Sequence, residues 1–199
     1  MGIRELCNLI RKDYSRLPKR GIPGTILFLI LGIFYHPSFS VTFWFRVGSY
    51  FKSKRNPLLV FLLIPVKIVY YLICHWNGVE LPIGTKVGGG LSIKHFPGLV
   101  VAYDSIIGEN CTLNHDITIG RSFGGTRAGC PIIGNNVIIF PGARVIGRIK
   151  IGNNVIISAN AVLTKDVPNN CVVAGVPAKI VKIDSNGLID DKWRETFGL

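Results

Sequence analysis

The chain has 199 residues, 48% of them hydrophobic, which is enough for one domain with an accessory segment and a sizeable core. Its net charge of +12 is uneven: residues 1–78 hold eleven Lys/Arg against Glu5 and Asp13, whereas residues 79–199 hold twelve against nine acids. No nucleic-acid motif accompanies the basic excess of the first third, which argues against nucleic acid and leaves an anionic membrane surface to consider.

Five cysteines stand alone along the chain, without a C-x-x-C pair, a pattern that fits neither a disulfide framework nor a zinc site. A reducing, cytoplasmic setting is the simple expectation. Residues 1–20 are amphipathic and charged, unlike a secretory signal.

Residues 22–34 (IPGTILFLILGIF) form an apolar run too short to cross a bilayer as a helix. The aromatic stretch FSVTFWFRVGSYF and the cluster Lys52, Lys54, Arg55 follow. Residues 57–76 are long enough to span, but Pro65 and Lys67 fall near the middle, where a lysine costs about 2.5–3.5 kcal/mol. Three readings stay open for residues 1–78: a helical region resting on the inner face of a membrane, helices packed on each other and across an oligomer, or a true span.

A repeat of six begins at Leu81. Leu81, Val87 and Ile93 are six apart; after a two-residue slip come Val101, Ile107, Leu113 and Ile119. After a longer interruption Ile133, Ile139, Val145, Ile151, Ile157 and Leu163 continue in step. Small or β-branched residues recur four places after the anchors, and Gly or Asn marks the corners, as in Ile-Gly-Asn-Asn at 133–136 and 151–154. A period of six suits neither a helix nor an isolated strand. It predicts an all-β left-handed parallel β-helix, a three-sided solenoid with one aliphatic side chain pointing inward per face, over residues 79–183. Residues 1–78 are then an N-terminal helical segment and residues 184–199 a C-terminal tail with a short helix. Residues around His95–Gly98, and the Gly-rich stretch 120–132, should be ejected from the solenoid, where binding and catalysis concentrate.

His36 and His75 have no partner that spacing can place. His95 and His115 each lie two residues after an inward anchor and are 20 apart, so they should stack on one face of adjacent coils. The alternative is a pair of structural or solvent-facing histidines. Glu80, 15 residues before His95, could orient the imidazole from one coil earlier, or could be a solvated acid at the first strand. Cys130 could be a nucleophile, although a pocket-lining thiol needs fewer partners. Two histidines without a third ligand make no metal site.

Residues 78–182 resemble the serine acetyltransferase branch of the hexapeptide-repeat acyltransferases. The resemblance rests on Gly-Val-Glu-Leu-Pro at 78–82, Gly-Gly-Gly-Leu-Ser-Ile-Lys-His at 88–95 and Pro-Gly-Leu-Val-Val at 97–101. Ile-Thr-Ile-Gly at 117–120, Pro-Gly-Ala-Arg-Val-Ile-Gly at 141–147 and Ala-Gly-Val-Pro-Ala-Lys at 174–179 extend it. Upstream, His36-Pro37 and Phe45-Arg46 look like the helical region of that branch. The resemblance implies a homotrimer that moves an acetyl group from acetyl-CoA to an acceptor hydroxyl, without a metal. It places His95 as the base and Glu80 as its carboxylate partner, where the family has an aspartate. It implies coenzyme contacts at Gly142, Ala143, Ala159, Thr164, Lys165, Lys179 and Lys182, in a groove between neighbouring prisms.

Two departures bear on the acceptor. Where serine acetyltransferases carry an acid before the histidine this chain has Lys94, and where they carry an Arg-His pair in the loop it has Gly129-Cys130. Both handles for a free amino acid are altered, which points instead to a sugar acceptor in capsular, exopolysaccharide or lipid-linked glycan synthesis, with His115, Lys94, Arg127 and Cys130 lining its site. Serine O-acetylation is the alternative, and a non-catalytic trimeric scaffold is the remote one.

Overall fold

The computed structural model describes residues 1–17, 36–54 and 56–183; the apolar run 22–34 and the expected tail helix 184–199 lie outside them. Helices α1 (Ile3–Ser15), α2 (Pro37–Lys52) and α3 (Pro57–Asn77) precede fifteen short strands, β1 (Val79–Glu80) to β15 (Lys179–Ile183). The strands form three walls of a left-handed parallel β-helix. One wall stacks β1, β4, β7, β10 and β13; the second β2, β5, β8 and β11; the third β3, β6, β9, β12 and β14, with β15 antiparallel at its end.

The six-residue anchors face the interior. Twelve of the thirteen are buried, and Val87 is partly so. Each anchor packs on the anchor of the next coil, as Ile93 on Leu113, Leu113 on Ile139, and Ile139 on Ile157. The corners repeat as strictly. Asn110, Asn136, Asn154 and Asn170 all take φ between +55° and +58°, a left-handed conformation that asparagine tolerates better than most residues. Their side chains form a ladder: Asn110 donates to Asn136 at 3.3 Å, Asn136 to Asn154 at 2.9 Å and Asn154 to Asn170 at 2.9 Å. Polar groups at a buried corner are thus paired instead of stranded.

The helices are tied to the first coils by charge. Arg46 of α2 donates from Nε to Asp13 of α1 at 2.8 Å, and the two side chains are only 3% and 1% exposed. Asp13 also accepts the amides of Gly90 and Leu91, while Arg46 donates to the carbonyls of Val87 and Gly88. Arg16 reaches Gly90 O and the Thr112 hydroxyl. A side chain at position 89 would meet Lys12 at 2.6 Å, which explains part of the triple-glycine stretch.

The aromatic stretch expected to rest in a membrane is instead largely interior: α2 buries Phe39, Val41 and Phe45. Its phenylalanines pack on Tyr14 of α1 and Tyr70 of α3, so their apolar surface is spent on neighbouring helices. The helix that keeps apolar surface in contact with solvent is α3.

Candidate active site

His95 and His115 come together at one corner of the prism. Strand β3 pairs with β6 so that Ile93 lies beside Leu113, and the residues two places on, the histidines, share one edge. Their rings meet edge to face, with centroids 5.9 Å apart. His95 is exposed and takes φ +63°, a conformation that corners elsewhere in this chain assign to Asn, Asp or Gly. An imidazole held there at some backbone cost is the kind of outlier that points to a function. His115 is half-buried, and its Nδ1 is enclosed without a hydrogen-bond partner among the described residues. Beside it Arg144 binds Asp116 through both its guanidinium nitrogens, a pair that the sequence reading did not single out.

The same edge continues down the solenoid. The register that joins Leu113 to Ile139 and Ile139 to Ile157 puts Pro141 and then Ala159 in line with the histidines. Ala159 is thus three coil spacings, about 14 Å, below His95. At the last coil an open cleft of about 290 Å³ is lined by Thr164, Lys165, Asp166 and Lys179. Lys182 is exposed on β15, paired with Val172. A groove of about 610 Å³ between the helices and the second wall includes neither histidine.

Several expected site residues do not join this corner. Glu80 makes no hydrogen bond to His95 among the described residues, because the slip lengthens this coil to 20 residues and the register puts Glu80 beside Val100, not beside the imidazole. The loop 120–132 leaves from the far end of the first wall, so Cys130 and Arg127 stand at a different edge from the histidines of the same chain. Cys130 is buried beside Pro131, whose carbonyl accepts from Ile106. Arg127 donates to Asp166 at 3.0 Å, which carries it toward the last-coil cleft. Ala143 is wholly buried and its carbonyl accepts from Thr118, so it has little to offer a coenzyme. Gly142 is a glycine for packing: at φ +77°, a Cβ would stand 1.9 Å from the Asn160 side-chain oxygen.

Lys94 follows β3 on the outer side of the third wall, half-buried next to the histidine. Burial, and then the charge of Arg16, hold its ammonium below the ordinary lysine value. Among the described residues no group of three potential metal ligands comes together.

Residues 130–165 match the family model for the bacterial transferase hexapeptide (six repeats). A serine acetyltransferase of Synechococcus elongatus is 32% identical over 146 residues, covering 73% of this chain and 57% of that protein. One from Staphylococcus aureus is 40% identical over 109 residues, 55% of this chain and 51% of that protein. The chain belongs to the hexapeptide-repeat acyltransferases. It spans a little over half the length of the curated relatives it matches. Among solved structures, the Neisseria gonorrhoeae serine acetyltransferase in complex with serine superposes with a TM-score of 0.66 at 29% identity, covering 90% of this chain and 70% of that one. The soybean apoenzyme gives 0.69 at 26%, covering 89% and 69%.

These relatives overturn the expectation of a sugar acceptor, since at 32–40% identity they are serine acetyltransferases. The inference had treated the loss of an acid at Lys94 as loss of a handle for serine. A cation there removes a partner for the ammonium but supplies one for the carboxylate, so the charge reversal does not by itself exclude serine.

Proposed function

We propose that the chain transfers the acetyl group of acetyl-CoA to the hydroxyl of L-serine, giving O-acetylserine and free coenzyme A. The observation that carries this reading is the His95–His115 corner, exposed at the top of an edge that runs down to Ala159, in a chain with serine acetyltransferase relatives.

His95 is the base. It takes the serine hydroxyl proton as the oxygen attacks the thioester carbonyl, and returns that proton to sulfur as the carbon–sulfur bond breaks. His115 faces His95 and fixes the geometry of the pocket. Lys94 holds the serine carboxylate, and its partial burial strengthens that attraction. Ala159 and the cleft lined by Thr164, Lys165 and Lys179 receive the coenzyme, with the lysines toward its phosphates. Glu80 acts at longer range, favouring the imidazolium through its charge.

The active form is a homotrimer. Cys130 and Arg127 stand at the edge away from their own histidines, and a groove between prisms would place the loop of one chain against the histidine corner of the next. Residues 79–183 are the acyl-transfer unit and residues 1–78 the helical unit that braces its first coils.

Continuous detection of free thiol, with acetyl-CoA and L-serine as substrates, tests the reading. Serine-dependent release that His95→Ala abolishes is the expected result. No release above the serine-free control, from a correctly folded oligomer, would refute it.

A further inference from the structure

Helix α3 divides cleanly into two faces. Leu63, Val66, Tyr70 and Cys74 are buried at helical spacing against α2 and β1, and the Tyr70 hydroxyl donates to Leu81 O at 2.5 Å. The opposite face carries Phe61, Ile64, Ile68, Leu72 and Trp76 in one row, with Tyr71 beside it. These are large apolar side chains in full contact with solvent: Phe61 is 67% and Trp76 91% exposed. Residues 59–77 have a mean hydropathy of 1.9, with only 17% of the window buried within the fold. A continuous apolar row of this length is a surface that an isolated soluble chain does not ordinarily display.

The charge around it selects the occupant. From Tyr14 to Val79 the sequence has eight Lys/Arg and no Asp or Glu. Lys67, the only charged side chain of α3, is exposed. A second copy laid on this row would bring Lys67 toward Lys67, with no acid in the region to relieve the repulsion. An anionic lipid surface meets both features at once: acyl chains take the aliphatic and aromatic row, headgroups take the lysine, and Tyr71 and Trp76 suit the interface between them.

We propose that α3 docks the protein, lying in plane, on an anionic membrane surface through the Phe61–Trp76 row. The helix does not cross the bilayer, because crossing would strip Leu63, Val66, Tyr70 and Cys74 from their partners in the fold. The inference stands apart from the acetyl-transfer reading and does not depend on it.

The test is co-sedimentation of the full chain with two sets of vesicles, phosphatidylcholine alone and phosphatidylcholine mixed with phosphatidylglycerol, with oligomer mass and melting followed in parallel. The expected result is binding to the mixed vesicles, release in high salt, and a blue shift of tryptophan emission that Trp76→Phe removes. The double variant Phe61→Glu, Ile68→Glu should bind about tenfold or more weakly. If it folds poorly, Lys67→Glu serves instead, weakening binding to the mixed vesicles only. A native chain that stays in the supernatant with both vesicle types overturns the proposal, as does a well-folded double variant that binds unchanged. A native oligomer that ignores vesicles and loses mass on Phe61→Glu, Ile68→Glu also overturns it, in favour of a second copy on this face.

Discussion

His95 and His115 stand edge to face, 5.9 Å between ring centroids, because the strands before them pair Ile93 with Leu113. The exposed ring at the strained corner is placed to exchange a proton, and the half-enclosed one to hold it in position. His95→Ala should therefore lower kcat for serine-dependent thiol release by about 10²–10⁴-fold. His115→Ala should cost less in kcat and leave coenzyme binding, read by calorimetry, in the native range.

Glu80 lies beside Val100 and makes no bond to the imidazole, so its effect is through charge alone. Glu80→Gln should reduce kcat/KM by about tenfold or less, well short of the loss of a general base. A loss equal to that of His95→Ala would mean that the carboxylate contacts the ring during turnover.

Lys94 offers two readouts of opposite sign. Its ammonium is held below the ordinary lysine value by burial and then by Arg16, so the folded state disfavours the charged form. A group with a depressed folded value contributes its full stability above the unfolded value and loses it as pH falls through the folded one. At neutral pH the charged Lys94 therefore costs stability. Lys94→Met should raise the denaturation midpoint at pH 7 while raising the KM for L-serine about tenfold, with kcat changed less.

Asp13 and Arg46 are a buried pair that joins α1 and α2 to the first coils. Asp13→Ala leaves a guanidinium without its counter-charge and frees the amides of Gly90 and Leu91, which should cost about 3–5 kcal/mol in urea unfolding. Arg46→Met combined with Asp13→Ala should cost less than the sum of the two single changes.

Asn136 separates corner strain from ladder bonding. Asn136→Ala keeps φ near +55° without a residue suited to it and breaks bonds to Asn110 and Asn154, for a loss of about 1–3 kcal/mol. Asn136→Gly loses the same bonds but not the conformational fit, and should cost less in the same denaturation series.

Spacing alone carried the solenoid. One aliphatic residue in six, with Gly and Asn at the corners, leaves a chain little choice but three short walls, because each inward side chain must meet the one a coil away. The same arithmetic, 20 residues between His95 and His115, brought the two rings to one edge. It failed for Glu80, since the slip that aligns the histidines also moves the carboxylate five residues out of register with His95. Nor could one-dimensional spacing say that the 120–132 loop leaves from another edge, taking Arg127 to Asp166, or that α2 hides its aromatics while α3 exposes its own. Both helices are rich in apolar residues, and which face is covered depends on what packs against it. Local periodicity therefore fixed the solenoid and its histidine corner, and only three-dimensional packing decided which side chains were left to meet a ligand.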